Sequence, residues 1–268
     1  MSPLIQNVAF TSTNTDAVYV AFPVKSSRLR SAVMGFRALG IKGFNVTTPH
    51  KIAIMKYLDR LDSDSDSIGS VNTVTNKGGV LLGYNTDGEG ALRALEEVCE
   101  LQGRSVVLFG AGGAAKAIAY TLGPKVGSLQ ILNRTFSKAK HLERRVRKCF
   151  QADISCKRFT ESNIRESVID ADIIVNASSL GMAGNMQLPV KKEWLSPRQT
   201  IFEIVYRPID TQFLERAKQA GARTVTGLDM LLHQGAYSFE LWTGKKAPIW
   251  KMRQAVLEYL KASSHAKS

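Results

Sequence analysis

Cysteine is scarce in this sequence: Cys99, Cys149 and Cys156 are the only three among 268 residues. An odd number of widely spaced thiols gives neither a disulfide framework nor a zinc-ligand pattern, so ordinary reduced thiols and no metal are expected. Long apolar runs are missing too. None approaches the roughly 18 residues of a membrane span, which argues against a transmembrane protein. The opening residues, Met-Ser-Pro-Leu-Ile-Gln-Asn, have no basic stretch followed by an apolar one, so no signal peptide is expected and the protein reads as cytoplasmic. Acidic residues are outnumbered, with 23 Asp and Glu against 36 Lys and Arg, for a formal net charge of +13. A basic surface suits nucleic acid or anionic small molecules. The densest basic segment, residues 138–148, carries no aromatic platform and reads as one solvated helix face, so direct nucleic-acid binding is set aside. No internal repeat or low-complexity linker interrupts the chain. Its length allows two modest α/β domains or one large one.

What is present changes rhythm half-way along. Ser2 and Pro3 look like an N-cap and a proline at the first helical position, opening a helix over about 3–13. Residues 17–24 are rich in β-formers. Residues 27–39 read as a helix ended by Gly40, residues 44–47 as a short strand, and Pro49 as the start of a helix to about Arg60. Strands at 71–74 and 80–84 meet at Lys77, Gly78 and Gly79 in a hairpin-like turn. A helix from about Asp87 to Cys99 closes this half. The second half alternates cleanly: strands at 105–109, 128–132, 154–159, 173–176, 200–205 and 224–225, with helices at 112–122, 137–150 and 210–220. This βαβ rhythm predicts a doubly wound parallel sheet. Helices over about 228–243 and 250–262 follow, and residues 263–268 read as a frayed tail.

The clearest chemical motif is Gly110, Ala111, Gly112 and Gly113, set between an apolar strand and a small-residue helix. Glycines let the backbone approach a pyrophosphate, and the helix N-terminus offers free N–H groups and a positive dipole end. Ala114 or Ala115 stands near the usual third glycine. NAD binders carry an acid about 20 residues further on for the ribose 2′-hydroxyl. Here the next strand ends in Asn133, Arg134 and Thr135, with no carboxylate. An arginine there can pair with a 2′-phosphate, Thr135 can donate a hydroxyl, and Lys138 can add charge, so NADP is expected over NAD. The loop from Asn176 to Met182, which includes Ser178, follows a further strand along which the dinucleotide could run. In the first half, Lys51 lies in the first turn after Pro49, where a helix dipole would disfavour its charged form and poise it for proton transfer. Asp87 lies at another helix start. A Lys–Asp pair would suit oxidation of an alcohol, although a surface lysine and a capping aspartate are the plainer readings.

Taken together these residues resemble the shikimate dehydrogenase family. The matching pieces run in the family's order: Ser2 and Pro3; Asn45 to Thr47 with Pro49 and Lys51; Gly69 to Thr73; Gly83 to Gly88; Gly110 to Ala114; Asn133 to Thr135; Asn176 to Met182; Val205 and Tyr206 with Pro208 and Thr211; and Gly227 through Met230 to Gln234. The resemblance implies an α/β protein of two domains. Residues 1–86 would be an N-terminal α/β substrate domain, with helices 230–262 packing back on it, and 87–229 a Rossmann-like, doubly wound NADP-binding domain. It implies reversible NADP-dependent reduction of 3-dehydroshikimate to shikimate, in the pathway to the aromatic amino acids. Lys51 and Asp87 would be the catalytic pair. Ser2, Thr47, Lys51, Asn72, Asp87 and Gln234 would grip the substrate, with Tyr206 nearby. Gly227 and Met230 would lie near the nicotinamide, with Ser178 and Val205 along the cofactor. The implied partners are small molecules, with no nucleic acid and no membrane, and the protein would be a monomer or homodimer.

The chain departs from the family pattern at its start. The family segment Gly-x-Pro-Ile-x-His-Ser-x-Ser-Pro is represented only by its final Ser-Pro, so the first strand and the first of two substrate serines are expected to be absent. Gln6 stands where the family has histidine, and His50 where it often has Phe or Tyr. Two alternatives follow: a quinate/shikimate dehydrogenase, with Arg134 counting against an NAD-preferring one, and a non-catalytic nucleotide-binding relative.

Overall fold

The structure, a computed structural model, describes residues 1–182 and 186–265. It divides into two compact units, one of Met1–Thr86 with Leu232–Ser268, the other of Asp87–Leu231.

The first unit opens with α1 (Ser2–Ser12), which buries Ile5, Gln6, Ala9 and Phe10 along one face. Met1 rather than Ser2 is the cap residue, because the Met1 carbonyl already accepts from the Ile5 N–H at 3.2 Å and so draws Ser2 into the first turn. Residues 17–24 form no strand. Both Tyr19 backbone groups are taken by the Asn7 side-chain amide, at 2.7 and 3.0 Å, instead of by a neighbouring strand. Val18, Val20 and Phe22 are left exposed. A short 3₁₀ turn (Ser26–Arg28) leads into α2 (Leu29–Ala38), whose Leu29 and Val33 point into the core. Next comes β1 (Gly43–Asn45). Phe22, Val33, Phe44 and Ile54 are among the residues lining an apolar cavity of about 710 Å³.

No α-helix follows Pro49. The Lys51 carbonyl, which a helix would offer to the Met55 N–H, instead accepts from the Val71 N–H at 2.9 Å, and Met55 turns to the Ile52 carbonyl. The segment therefore settles into turns and a 3₁₀ stretch (Ala53–Tyr57) before β2 (Arg60–Leu61). A short helix that the sequence pattern did not reveal, α3 (Ser63–Ile68), is capped by the Asp62 side chain, which accepts from the Ser65 N–H at 2.9 Å. Then β3 (Thr73–Lys77) and β4 (Val80–Tyr84) form the expected hairpin, with β3 starting at Thr73 and the Val71 N–H turned out of the ladder to the Lys51 carbonyl. The sheet runs β1-β3-β4-β2.

The second unit begins within α4 (Thr86–Glu96). Strands β5 (Ser105–Phe109), β6 (Ser128–Asn133), β7 (Asp153–Arg158), β8 (Ile173–Asn176), β9 (Thr200–Glu203) and β10 (Arg223–Thr226) alternate with α5 (Gly113–Leu122), α6 (Phe136–Cys149), α7 (Glu161–Asp170) and α8 (Gln212–Gln219). The sequence pattern did not reveal α7, whose start is marked by Thr160 accepting from the Asn163 N–H at 3.4 Å. All six strands are parallel, in the order β10-β9-β8-β5-β6-β7. The fold is thus α/β with a doubly wound sheet. Its winding reverses at β5, which pairs with β6 on one side and β8 on the other, so the carboxyl end of β5 is the expected ligand crevice. Phe109, Ile174, Ile201 and Phe213 are fully or almost fully buried in the core beneath.

The chain returns to the first unit inside α9 (Gly227–Thr243) and ends in α10 (Ile249–His265). There, Phe239 meets Phe10 at 5.5 Å between ring centroids. Helix α10 runs three residues beyond the expected end at 262, since no proline or glycine stops it; the rest of the expected frayed tail lies outside the described residues. Among the described residues no helix is long and apolar enough to cross a membrane, and no group of three or more His, Cys, Asp or Glu is placed to hold a metal ion.

Candidate active site

In the second unit the glycine turn stands at the point where the sheet reverses. Gly110 has φ 118°, a conformation that side-chain-bearing residues rarely adopt. A Cβ there would also lie 2.6 Å from the Ala177 carbonyl oxygen. Its N–H is bonded to the Leu132 carbonyl at 2.9 Å, which ties the turn to the end of β6. Gly112 caps α5 with no side-chain bond, and a Cβ on Gly112 or Gly113 would meet nothing within 4 Å. The backbone thus presents the helix N-terminus to open space, as a pyrophosphate requires. Ala111 and Ala115 are buried and Ala114 is half-buried.

One strand over, Asn133 ends β6 and its Nδ2 donates to the Thr135 carbonyl at 2.9 Å. Arg134, Thr135 and Lys138 are exposed beside it. Parallel register sets Arg158 opposite Asn133, with its guanidinium 4.7 Å from the Phe136 ring centroid. The sequence alone does not reveal this cation, because only strand pairing brings β7 beside β6.

On the other side of β5, Asn176 organises the following loop. Its Oδ1 accepts from the Ser178 N–H and hydroxyl at 3.1 and 2.7 Å, and its Nδ2 donates to the Leu180 carbonyl at 2.9 Å. The same Nδ2 reaches both oxygens of Glu203, at 3.1 and 2.9 Å. Glu203 has no exposed surface. Burial pushes its carboxyl up to about 7 from the ordinary 4.5, against the opposing pull of its hydrogen bonds. Val205 is buried after β9, and Tyr206 is 42% exposed. Gly227 opens α9 against the Ile204 carbonyl, where a Cβ has no room. Met230 is buried one turn later.

In the first unit a polar cluster gathers residues far apart in sequence. Asn72 Oδ1 accepts from the Thr86 N–H at 2.7 Å and from the Thr73 hydroxyl at 3.1 Å. Thr73 and Ser238 hydroxyls lie 2.8 Å apart, and the Thr86 hydroxyl donates to Gln234 Oε1 at 3.4 Å. Asn45 Nδ2 donates to Thr73 and Ser238, and its Oδ1 accepts from the Tyr19 hydroxyl at 3.0 Å. Burial pushes the Tyr19 hydroxyl up to about 12, which keeps it a donor. Of the expected substrate residues, Asn72 and Gln234 belong to this cluster. Thr73, Thr86, Ser238, Asn45 and Tyr19 are additions, and only their hydroxyl and amide chemistry could have signalled them. Ser2 and Thr47 line the cavity, as do Tyr19 and Asn45 of the cluster. Lys51 is half-buried in the turn after Pro49, so the helix-dipole argument for its reactivity falls. Asp87 is 9% exposed in the first turn of α4, and begins the second unit.

Comparison with known proteins gives this geometry a family. The family model for the shikimate dehydrogenase substrate binding domain matches residues 1–74. Shikimate / quinate 5-dehydrogenase matches 92–186, and the shikimate 5′-dehydrogenase C-terminal domain 227–257. A shikimate dehydrogenase (NADP(+)) of Moorella thermoacetica is 42% identical over 98% of this chain and 90% of its own. One from Thermococcus kodakarensis is 45% identical over 96% and 92%. The chain belongs to the shikimate dehydrogenase family. The solved shikimate 5-dehydrogenase of Listeria monocytogenes, in complex with shikimate and NAD, superposes with a TM-score of 0.89 at 35% identity, covering 95% of this chain and 91% of that one.

Two outcomes are expected of this family member. Gly110→Ala combines a disfavoured φ with a blocked approach to Ala177, so NADPH affinity should fall at least about tenfold, equivalent to ~1.4 kcal/mol; a fluorescence titration giving unchanged affinity would contradict the turn's role. Glu203 has a folded-state value above its unfolded one, so its stabilising contribution is complete below about 4.5 and is lost as pH rises through about 7. Glu203→Gln removes that dependence. Relative to the native chain the variant should therefore gain about 3 kcal/mol between pH 4 and 8, since each tenfold change in proton affinity is worth ~1.4 kcal/mol. Denaturant unfolding at both pH values measures it, and parallel profiles would refute it.

Proposed function

We propose that this chain is an NADP-dependent shikimate dehydrogenase that reduces 3-dehydroshikimate reversibly to shikimate. The observation that carries the reading is the 42–45% identity to proteins of that name over nearly the whole chain. The unit built on Met1–Thr86 with the C-terminal helices would bind the substrate, and Asp87–Leu231 the cofactor. Gly110, Ala111, Gly112, Gly113 and Ala114 would hold the pyrophosphate. Asn133, Arg134, Thr135 and Lys138 would take the 2′-phosphate end. Ser178, Val205, Gly227 and Met230 would serve the nicotinamide end. The enzyme would work in the cytoplasm, as a monomer or homodimer.

NADP, when bound, supplies the hydride acceptor or donor at its nicotinamide ring. The side chains do the rest. Lys51 would deliver a proton to the carbonyl oxygen as it becomes a hydroxyl, and take it back in the reverse direction. Asp87, the second catalytic residue, would accept a hydrogen bond from a substrate hydroxyl. Asn72, Gln234, Ser2, Thr47 and Tyr206 would match the remaining hydroxyls and the carboxylate. A polyhydroxylated acid needs that many partners, because each buried polar group left unmatched costs ~1–3 kcal/mol. The excess of basic residues favours encounter with an anionic substrate and a phosphorylated cofactor.

Lys51→Ala should lower kcat by about 10²–10⁴-fold while NADPH binding is kept; undiminished turnover would remove Lys51 from the chemistry. Arg134→Ala should raise KM for NADP about 10–100-fold, the worth of a charge-assisted hydrogen bond, and leave NAD little changed. Equal effects on both cofactors would place the 2′-phosphate elsewhere. Rates with shikimate and quinate on each cofactor separate this reading from a quinate-type enzyme.

A further inference from the structure

We infer that Glu203 is a positioning residue that sets the loops after β8 and β9 for the cofactor, an inference resting on the function proposed above. This one carboxyl holds several segments together. Its oxygens accept from Asn176 Nδ2 at 3.1 and 2.9 Å, from the Val205 N–H at 3.0 Å and from the Thr211 hydroxyl at 3.4 Å. These donors come from three segments: the end of β8, the turn after β9 and the cap of α8. Thr211 in turn accepts from the Leu214 N–H at 3.3 Å, so the start of α8 is fixed by the same group.

An apolar side chain would be the less costly occupant of this place. The three preceding residues of β9 are Thr200, Ile201 and Phe202, all buried, and a buried carboxyl costs free energy unless it is fully bonded. The bonds go to the carboxyl edge of a parallel sheet, where ligands of such sheets sit. They also go to the segments that carry Ser178 and Val205. The coupling reaches the glycine turn itself. The Ala177 N–H is bonded to the Phe109 carbonyl at 2.8 Å, and the Ala177 carbonyl lies against Gly110. A loop released from Glu203 would shift the surface on which the glycine turn rests. Gly181, at φ 90°, lies close enough that a Cβ there would stand 3.4 Å from Glu203 Oε2, so the loop closes directly over the carboxyl.

The test uses the intact chain and measures binding as well as rate. Glu203→Ala should raise the NADPH Kd, read by fluorescence, and KM for NADP at least about tenfold, with KM for shikimate held within about twofold. Glu203→Gln retains an acceptor for the Val205 N–H and should recover most of the loss. Thr211→Val removes one donor and should give a smaller loss of the same kind; it carries the test if Glu203→Ala fails to fold. NADPH affinity within twofold of native in the folded variants would overturn the inference. So would equal weakening of cofactor and shikimate with no rescue by glutamine, which is what a merely structural role predicts. Absence of NADPH binding by the unaltered chain would instead overturn the proposed function, and this inference with it.

Discussion

The contact between the Gly110 turn and the Ala177 carbonyl is the constraint from which the second unit's site is built. It exists because β5 and β8 are neighbours, so the turn leaving one strand and the loop leaving the other must share the same edge. No side chain fits between them, since a Cβ on Gly110 would stand 2.6 Å from that oxygen. The turn is therefore held from below by backbone, and its outer face, at Gly112 and Gly113, is left open. On the opposite side the Gly110 N–H is fixed to Leu132, and the end of β6 brings Asn133 and Arg134 alongside. A single strand arrangement thus sets both the turn suited to a phosphate and the cation suited to telling one phosphate from another.

The first unit solves a different problem. It buries hydroxyls and amides and must do so without leaving them unsatisfied. Asn72, Thr73, Thr86, Gln234 and Ser238 do so by bonding to one another, mostly through groups able both to donate and to accept. Hydroxyls can rotate to meet whichever partner is nearest, so such a cluster satisfies itself without a fixed charge. Asn45 extends the cluster outward to Tyr19. The Tyr19 hydroxyl donates to Asn45 Oδ1, which leaves Nδ2 to donate to Thr73 and Ser238.

The second unit was the more legible from sequence. Strands at 105–109 and 173–176 coincide with β5 and β8, because an apolar run between a turn and a helix has one reading in a parallel sheet. The first unit was harder for a physical reason. Its backbone groups find partners distant in sequence, and local pattern cannot reveal those. Residues 17–24 have strand composition, yet Asn7 takes the bonds a ladder would use. The segment after Pro49 has helical composition, yet Val71 takes the Lys51 carbonyl. Lys51 was singled out through a helix dipole that the fold does not provide there. The family resemblance supplied Asn72 and Gln234, while Thr86 and Ser238 emerged only when the chain was folded. Glu203 was invisible for the same reason: an acid at the end of an apolar strand reads as the strand's polar terminus until its three partners are seen.

The position of Lys51 carries a final consequence. A lysine on a helix would owe its orientation to that helix, and its environment to the dipole. Here its backbone is pinned instead by the bond from Val71, next to Asn72, whose side chain is in the polar cluster. The 51–72 connection therefore couples the residue proposed to move the proton to a residue proposed to hold the substrate, through one backbone bond and one peptide. Substitutions that disturb the start of β3 should act on Lys51 placement as well as on the cluster, although none of them touches the lysine. Double-mutant cycles between Asn72 and Lys51 are the natural measure, since two groups sharing such a link are expected to be non-additive by ~0.5–3 kcal/mol. Additive losses would mean that the turn holds Lys51 by other contacts and that the shared backbone bond is incidental.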